Sequence, residues 1–329
     1  MVLITQHRIS SPMKSFDPED GVVVLTPERQ EPGYWVGCAG VLYEADRGRF
    51  LLTYRERRPR GHAESERGWR CAVAVSTDGV SFEDVWSVHK DELGTSSMER
   101  FSILPKPGGG YELYITSVDP ADNRWRIDVV EADTPDAFDV SARRPVLTAA
   151  STGTEGVKDP YVFRIGPLTY LYASYAEKGD WSSEQASLAH SNADIYTTGV
   201  TTHPTGLAIR VDGGDYTWHG EALDTGDGWD RYQARLNCVV PTGAGYLGFY
   251  DGSSSHEENY EERCGLAVSH DLRQWTRLTT DQPWVTAESK TGSVRYADAL
   301  RIGDEWWVYY EITRDDAAHE LRLVRQPVA

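Results

Sequence analysis

The sequence predicts an all-β chain folded as a five-bladed β-propeller of four-stranded antiparallel blades, its ring closed by an N-terminal strand. Three observations carry this expectation. A strongly aromatic strand recurs five times at intervals of roughly 60 residues. An alternating strand that ends in Ser-x-Asp at a tight turn, followed by an aromatic, occurs twice in nearly the same form. Helical periodicity is almost absent, which excludes the α/β alternatives.

In chain order, the aromatic strands are Phe50-Leu51-Leu52-Thr53-Tyr54, Tyr111-Glu112-Leu113-Tyr114-Ile115, Tyr170-Leu171-Tyr172-Ala173-Ser174, Tyr246-Leu247-Gly248-Phe249-Tyr250 and Trp307-Val308-Tyr309-Tyr310. Each follows an inner strand and a glycine turn. The interval stretches only between the third and fourth copies, through an insertion near 197–222. The alternating strands are Arg70 to Asp78 and Arg263 to Asp271, followed by Phe82 and Trp275, and Ser187 to Ser191 reads as a weaker third copy. The last unit, ending with Leu321-Arg322-Leu323-Val324, lacks a fourth strand. Gly21-Val22-Val23-Val24-Leu25 has no other partner, and pairing the two leaves no bare sheet edge. Residues 1–20 are therefore expected to be an N-terminal extension and 21–329 a single propeller domain.

Composition narrows the function. The 329 residues carry a net charge of -18, which argues against nucleic acid or an anionic membrane as partner, since both need a basic face. No apolar run approaches the ~18–20 residues of a membrane helix. The apolar patch near the start is too short for a signal peptide, so a cytoplasmic location is expected. Cys38, Cys71, Cys238 and Cys264 form no CxxC pair and read as small buried residues. With no Gly-rich nucleotide loop, HExxH or zinc-ligand cluster, no cofactor and no metal are expected.

In a propeller the inner strands begin around one channel. Counting back from the aromatic strands places Gly37-Cys38-Ala39, Met98-Glu99-Arg100, Lys158-Asp159-Pro160, Gln233-Ala234-Arg235 and Val294-Arg295-Tyr296 at its mouth. Gly156-Val157-Lys158-Asp159-Pro160-Tyr161-Val162-Phe163 resembles the Asp-Pro motif of the arabinanase, β-xylosidase, invertase and levansucrase enzymes, and the Ser-x-Asp-aromatic repeats are similar to theirs. The resemblance spans nearly the whole chain as architecture. It implies that Asp159 orients a sugar or tunes a catalytic acid. Those families place a base or nucleophile Asp where this chain has Gly37-Cys38-Ala39, and an acid Glu where it has Gln233-Ala234-Arg235. Two of three expected carboxylates are thus missing.

Glycosidic cleavage ordinarily uses one protonated and one ionised carboxyl. Glu99, on the blade next to Asp159, is the first substitute and the preferred acid. Glu56, Asp251, Glu311 and Asp230 are further candidates on the same rim. Arg100, Arg235 and Arg295, with Lys158 beside them, either pair with these acids or grip a carboxylate or phosphate. The five-bladed mannoside phosphorylases, with one carboxyl acid and a basic phosphate pocket, are a further resemblance. Trp35, Trp229 and Tyr296 could stack on a sugar. The expected function is glycosidase-like cleavage of a small glycoside, neutral or anionic. A non-hydrolytic sugar-binding propeller, or a phosphorylase, lyase or cyclase using the same pocket, is the alternative.

Overall fold

The computed structural model describes residues 13–62 and 67–328. Among these, the strands fall into five antiparallel groups. After a short first strand, β1 (Val22–Leu25), unit 1 comprises β2 (Trp35–Glu44), β3 (Arg49–Arg57), β4 (Arg70–Ser76) and β5 (Glu83–His89). Unit 2 comprises β6 (Ser102–Pro105), β7 (Tyr111–Val118), β8 (Trp125–Ala132) and β9 (Arg144–Leu147). Unit 3 holds β10 (Val157–Ile165), β11 (Leu168–Tyr175), β12 (Thr205–Val211) and β13 (Thr217–Leu223), and unit 4 holds β14 (Gln233–Thr242), β15 (Gly245–Ser253), β16 (Arg263–Ser269) and β17 (Thr276–Arg277). Unit 5 is β18 (Val294–Ile302), β19 (Glu305–Thr313) and β20 (His319–Pro327). β1 pairs antiparallel with β20, Val22 opposite Leu323.

The aromatic strands are the second strands of their units, and alternation explains their composition. Side chains on a strand point to opposite faces in turn, and here both faces are covered. In β3, Leu51 joins the core between units 1 and 2, while Phe50, Leu52 and Tyr54 join the core between units 5 and 1. In β19, Trp306, Val308, Tyr310 and Ile312 face unit 4, and Trp307 and Tyr309 face unit 1. In β11, Tyr170 and Tyr172 face unit 4, and Leu171, Ala173 and Tyr175 face unit 2. Each pair of neighbouring units thus encloses its own apolar cluster, including units 5 and 1. A strand buried on both faces reads as a continuous apolar run.

The Ser-x-Asp turns have a local cause. Ser76 Oγ accepts from Gly79 N at 2.9 Å, and Asp78 Oδ1 accepts from Val80 N and Ser81 N at 2.8 Å. Ser269 and Asp271 repeat the arrangement with Leu272, Arg273 and Gln274. Side-chain oxygens here satisfy amides that the sharp turn leaves unpaired.

Two expectations need correction. Ser187 to Ser191 is no strand: Ser183–Ala189 is a helix, opened by Ser182 and Gln185, which bond each other's backbone as a capping box. The insertion is not 197–222, because 205–211 and 217–223 are strands; it runs between β11 and β12. Its core of Ala189, Ala193, Ile195 and Tyr196 packs on Val118, Trp125 and Ala176. Of the expected extension, residues 1–12 lie outside the described residues. Met13 is buried in the core between units 4 and 5, and Phe16 meets Trp284 edge-on. Among the described residues no helix is long and apolar enough to cross a membrane.

Candidate functional site

The five inner strands begin at equivalent places. Gly37, Met98, Lys158, Arg235 and Arg295 lie opposite Arg55, Ser117, Ser174, Asp251 and Glu311 of the second strands. Just beyond, the pairing register slips, at Gly37–Gly40, Lys158–Tyr161, Leu236–Cys238 and Arg295–Asp298. Three residues at the slip, Cys38, Asp159 and Tyr296, have φ of 61°, 58° and 50°. Non-glycine residues rarely adopt that conformation, and a bulge re-aims the side chain it carries. Glu99 follows Met98 at the corresponding step of unit 2, and Leu236 follows Arg235 in unit 4.

These side chains form one circuit through all five units. Arg55 of unit 1 pairs with the Glu99 carboxylate of unit 2. Arg100 N donates to Asp159 Oδ1 at 3.2 Å, and Arg235 Nη1 to Asp159 Oδ2 at 3.0 Å. Arg235 Nη2 donates to Asp251 Oδ2 at 2.6 Å, and Asp251 also accepts from Tyr296 N at 3.0 Å. Arg295 grips Glu311 through Nε at 2.9 Å, and Glu311 Oε2 accepts from Cys38 N at 2.9 Å, returning to unit 1. Gly37 leaves room for this last contact, because a Cβ there would sit 2.3 Å from Glu311 Oε2.

Burial sets the electrostatics. Asp159, Asp251 and Glu311 are fully buried, and Arg55, Arg100, Arg235 and Arg295 are nearly so. Burial pushes the Asp159 carboxyl up, but Lys158 and Arg235 outweigh it and hold the group below its ordinary value. The same contest holds Glu262 at about 2, with Arg295 and Arg235 prevailing over burial, and places Glu311 far below the carboxylate range. For Asp251 burial prevails over Arg235 and the carboxyl is raised. Burial also pushes the Cys38 thiol up to about 11.

A stability prediction follows. Glu262, Glu311 and Asp159 stabilise the fold fully above the ordinary carboxylate value near 4.5 or 3.8. That contribution is lost as pH falls through their depressed folded values. Asp251 and Asp298, both raised, act in the opposite sense and offset part of the loss. The urea midpoint is expected to fall between about pH 4.5 and 2, the span of the Glu262 shift. Glu262→Gln should flatten that fall; an unchanged profile would contradict it.

The structure brings most of the sequence candidates together. Arg100, Arg235 and Arg295 all reach the circuit, and each is already ion-paired: Arg100 with Asp298 at 2.9 Å, Arg235 with Asp159 and Asp251, Arg295 with Glu262 at 2.7 Å and Glu311. Lys158 Nζ stands 3.8 Å from Asp159 and 4.0 Å from the Tyr196 ring centre. Trp35 lies flat on His319 at 4.2 Å and has the Arg57 guanidinium 4.1 Å from its ring centre. Glu56 is a correction: Arg55 and Arg57 flank it on the channel side, so alternation turns Glu56 away, to Arg70 at 3.3 Å. Trp229 and Asp230 are also corrections. Trp229 bonds Thr279 O and stacks on Tyr250, while Asp230 takes Tyr250 and Arg277, all within unit 4 and apart from the circuit.

Sequence reading missed Glu262, Asp298 and His319. Glu262 precedes the repeated Arg263-Cys264 pair, where the other copy has Trp69, so the repeat gave no cue. Asp298 lies past the bulge, and His319 opens β20 with Nδ1 2.6 Å from Glu311. Single donor atoms of Cys38, Glu99 and Asp159 lie within 4.8 Å of one another. The set suits a divalent ion poorly, because Arg55, Lys158 and Arg235 already stand against these carboxylates.

No protein-family model matches the sequence, and no curated protein matches it. Solved structures do match in fold. A β-1,2-mannobiose phosphorylase from Listeria innocua, in complex with β-1,2-mannobiose, has a TM-score of 0.62 at 13% identity, covering 95% of this chain and 96% of its own. A member of the GH130 family of mannoside phosphorylases, which contains glycoside hydrolases that target β-1,2-mannosidic linkages, has a TM-score of 0.63 at 14% identity, covering 98% and 97%. A GH43_1 enzyme from Xanthomonas citri has a TM-score of 0.58 at 14% identity, covering 92% and 90%. The chain therefore has the fold shared by arabinanase- and xylosidase-like enzymes and mannoside phosphorylases.

Proposed function

We propose that this chain is a glycoside-cleaving enzyme that works at the buried circuit around Asp159 and Glu99. The five units are read as the blades of one propeller domain, 21–329, with β1 as its closing strand. The observation that carries the function is the meeting of Glu99 and Asp159, from neighbouring units, with oxygens within 4.8 Å. Ionised Asp159 suits stabilisation of the positive charge that develops at the anomeric carbon.

Two carboxyls compete as proton donor. Glu99 meets Asp159 from the neighbouring unit and contacts Arg55. Asp251 is the circuit carboxyl that burial raises. Glu99→Gln and Asp251→Asn, compared on the same substrate, assign the role to whichever loses activity that a leaving group of low pKa restores.

The test is incubation with a panel of glycosides, with and without phosphate, with products followed by NMR. Release of sugar by the native protein and not by Asp159→Asn supports the reading, and a sugar phosphate formed only with phosphate marks phosphorolysis. One observation favours binding without cleavage: Cys38 and Gln233-Ala234-Arg235 stand where the resembling families carry two of their carboxylates. Sugar binding with no turnover would establish that second reading.

A further inference from the structure

We propose that Arg57 is the recognition site for a carboxylate carried by the sugar, so that the substrate is an acidic glycoside. The inference rests on the glycoside reading above. Arg57 ends β3 on the same face as Arg55 and is 6% exposed. It sits in the angle between two rings, its guanidinium carbon 4.1 Å from the Trp35 centre and 4.0 Å from that of Tyr260. Among the described residues no carboxylate pairs with it and no acceptor takes its hydrogen bonds. Its Nε and the indole Nε1 of Trp35 are both buried without a partner.

Every other arginine near it differs. Arg55 has Glu99, Arg295 has Glu262 and Glu311, and Arg67 has Asp194 at 3.3 Å. Those neighbours repel Arg57, and burial with their charge lowers it to about 10. Burying a charge without a counter-ion is costly, and contact with two ring faces returns only part of that cost. A fold that neutralises each neighbouring arginine and leaves this one bare keeps it for a ligand.

The chemistry of that ligand follows from the charge. One uncompensated positive charge with unsatisfied N–H groups matches a singly charged, planar carboxylate, which a guanidinium binds through a fork of two hydrogen bonds. A neutral hydroxyl would fill the hydrogen bonds and leave the charge. Phosphate, at about -1.5 to -2 near neutrality, would need a second free cation. Arg57 stands beside Trp35, which Arg295 also approaches at 5.0 Å, so an acid group bound there belongs to a sugar reaching the Asp159 circuit.

The test is titration of the native protein with glucuronate, galacturonate, the corresponding neutral sugars and inorganic phosphate, read by calorimetry and by melting temperature. A uronate is expected to bind, its neutral counterpart at least 10-fold more weakly, and phosphate alone no better than the neutral sugar. Arg57→Met should weaken uronate binding by roughly 10- to 100-fold. Without ligand, Arg57→Met should melt at or above the native temperature, since it removes an unpaired buried charge. Equal binding of acidic and neutral sugars, stronger binding of phosphate than of either uronate, or marked loss of stability in unliganded Arg57→Met would each overturn the proposal. The two readings fail separately. Asp159-dependent cleavage of neutral glycosides without uronate binding removes only the carboxylate site, and uronate binding without cleavage removes only the enzyme.

Discussion

Replacing Arg235 by methionine is expected to destabilise the fold by about 3–5 kcal/mol, the range for breaking a buried ion pair by removing one partner. Arg235 joins Asp159 at 3.0 Å to Asp251 at 2.6 Å, and its other neighbour is Glu262 at 3.8 Å. None of these groups is more than 1% exposed, so water cannot take over the lost contacts. The deficit should shrink in acid, because protonation of Asp159 and Asp251 removes the charges left unpaired. The exposed pair Arg325 and Glu305 supplies the contrast: Arg325→Met should cost no more than about 1 kcal/mol. Urea unfolding of both variants at pH 7 and pH 4 makes the comparison. If Arg235 served only a ligand, Arg235→Met would keep native stability and lose binding alone.

Asp159→Asn is expected to lower kcat/KM on the true substrate at least ~100-fold, within the usual range for groups that act in proton transfer or charge stabilisation. The change keeps the shape of the side chain, and Arg235 retains Asp251, so the fold should persist. The charge is what disappears. Because Lys158 and Arg235 hold the native Asp159 below its ordinary value, this carboxylate stays ionised into mildly acidic solution. Any loss of activity caused by its protonation should therefore fall below about pH 3.8. A native-like rate in Asp159→Asn, with melting temperature unchanged, would remove the site from the chemistry.

Much of the architecture was legible in the chain. The five aromatic segments are all second strands, because a strand buried on both faces must be apolar at every step and leaves a continuous signal. The Ser-x-Asp turns at 76–78 and 269–271 are set by side chains bonding their own backbone, a local effect that sequence displays directly. The Ser182–Gln185 capping box was equally local, and it outweighed the weak strand pattern that followed it.

The candidate site was legible in its positions and obscure in its partners. Glu99, Asp159, Arg235 and Arg295 all lie near the inner-strand starts, Glu99 and Asp159 one register step beyond Arg235 and Arg295. Whether each arginine is free or neutralised depends on carboxylates far along the chain, such as Asp298 on Arg100, 198 residues away. Glu56 and Arg57 show the sharper limit. They are chain neighbours on one strand, and alternation sends the acid to Arg70 and the arginine to the bare angle between Trp35 and Tyr260. The sequence by itself determined the strands, their fivefold recurrence and the charged residues at their starts, because these are properties of short segments. Only the tertiary structure decided which charges near the site cancel and that Arg57, among the described residues, has no carboxylate partner, because that depends on through-space contacts in a medium too dry to screen them.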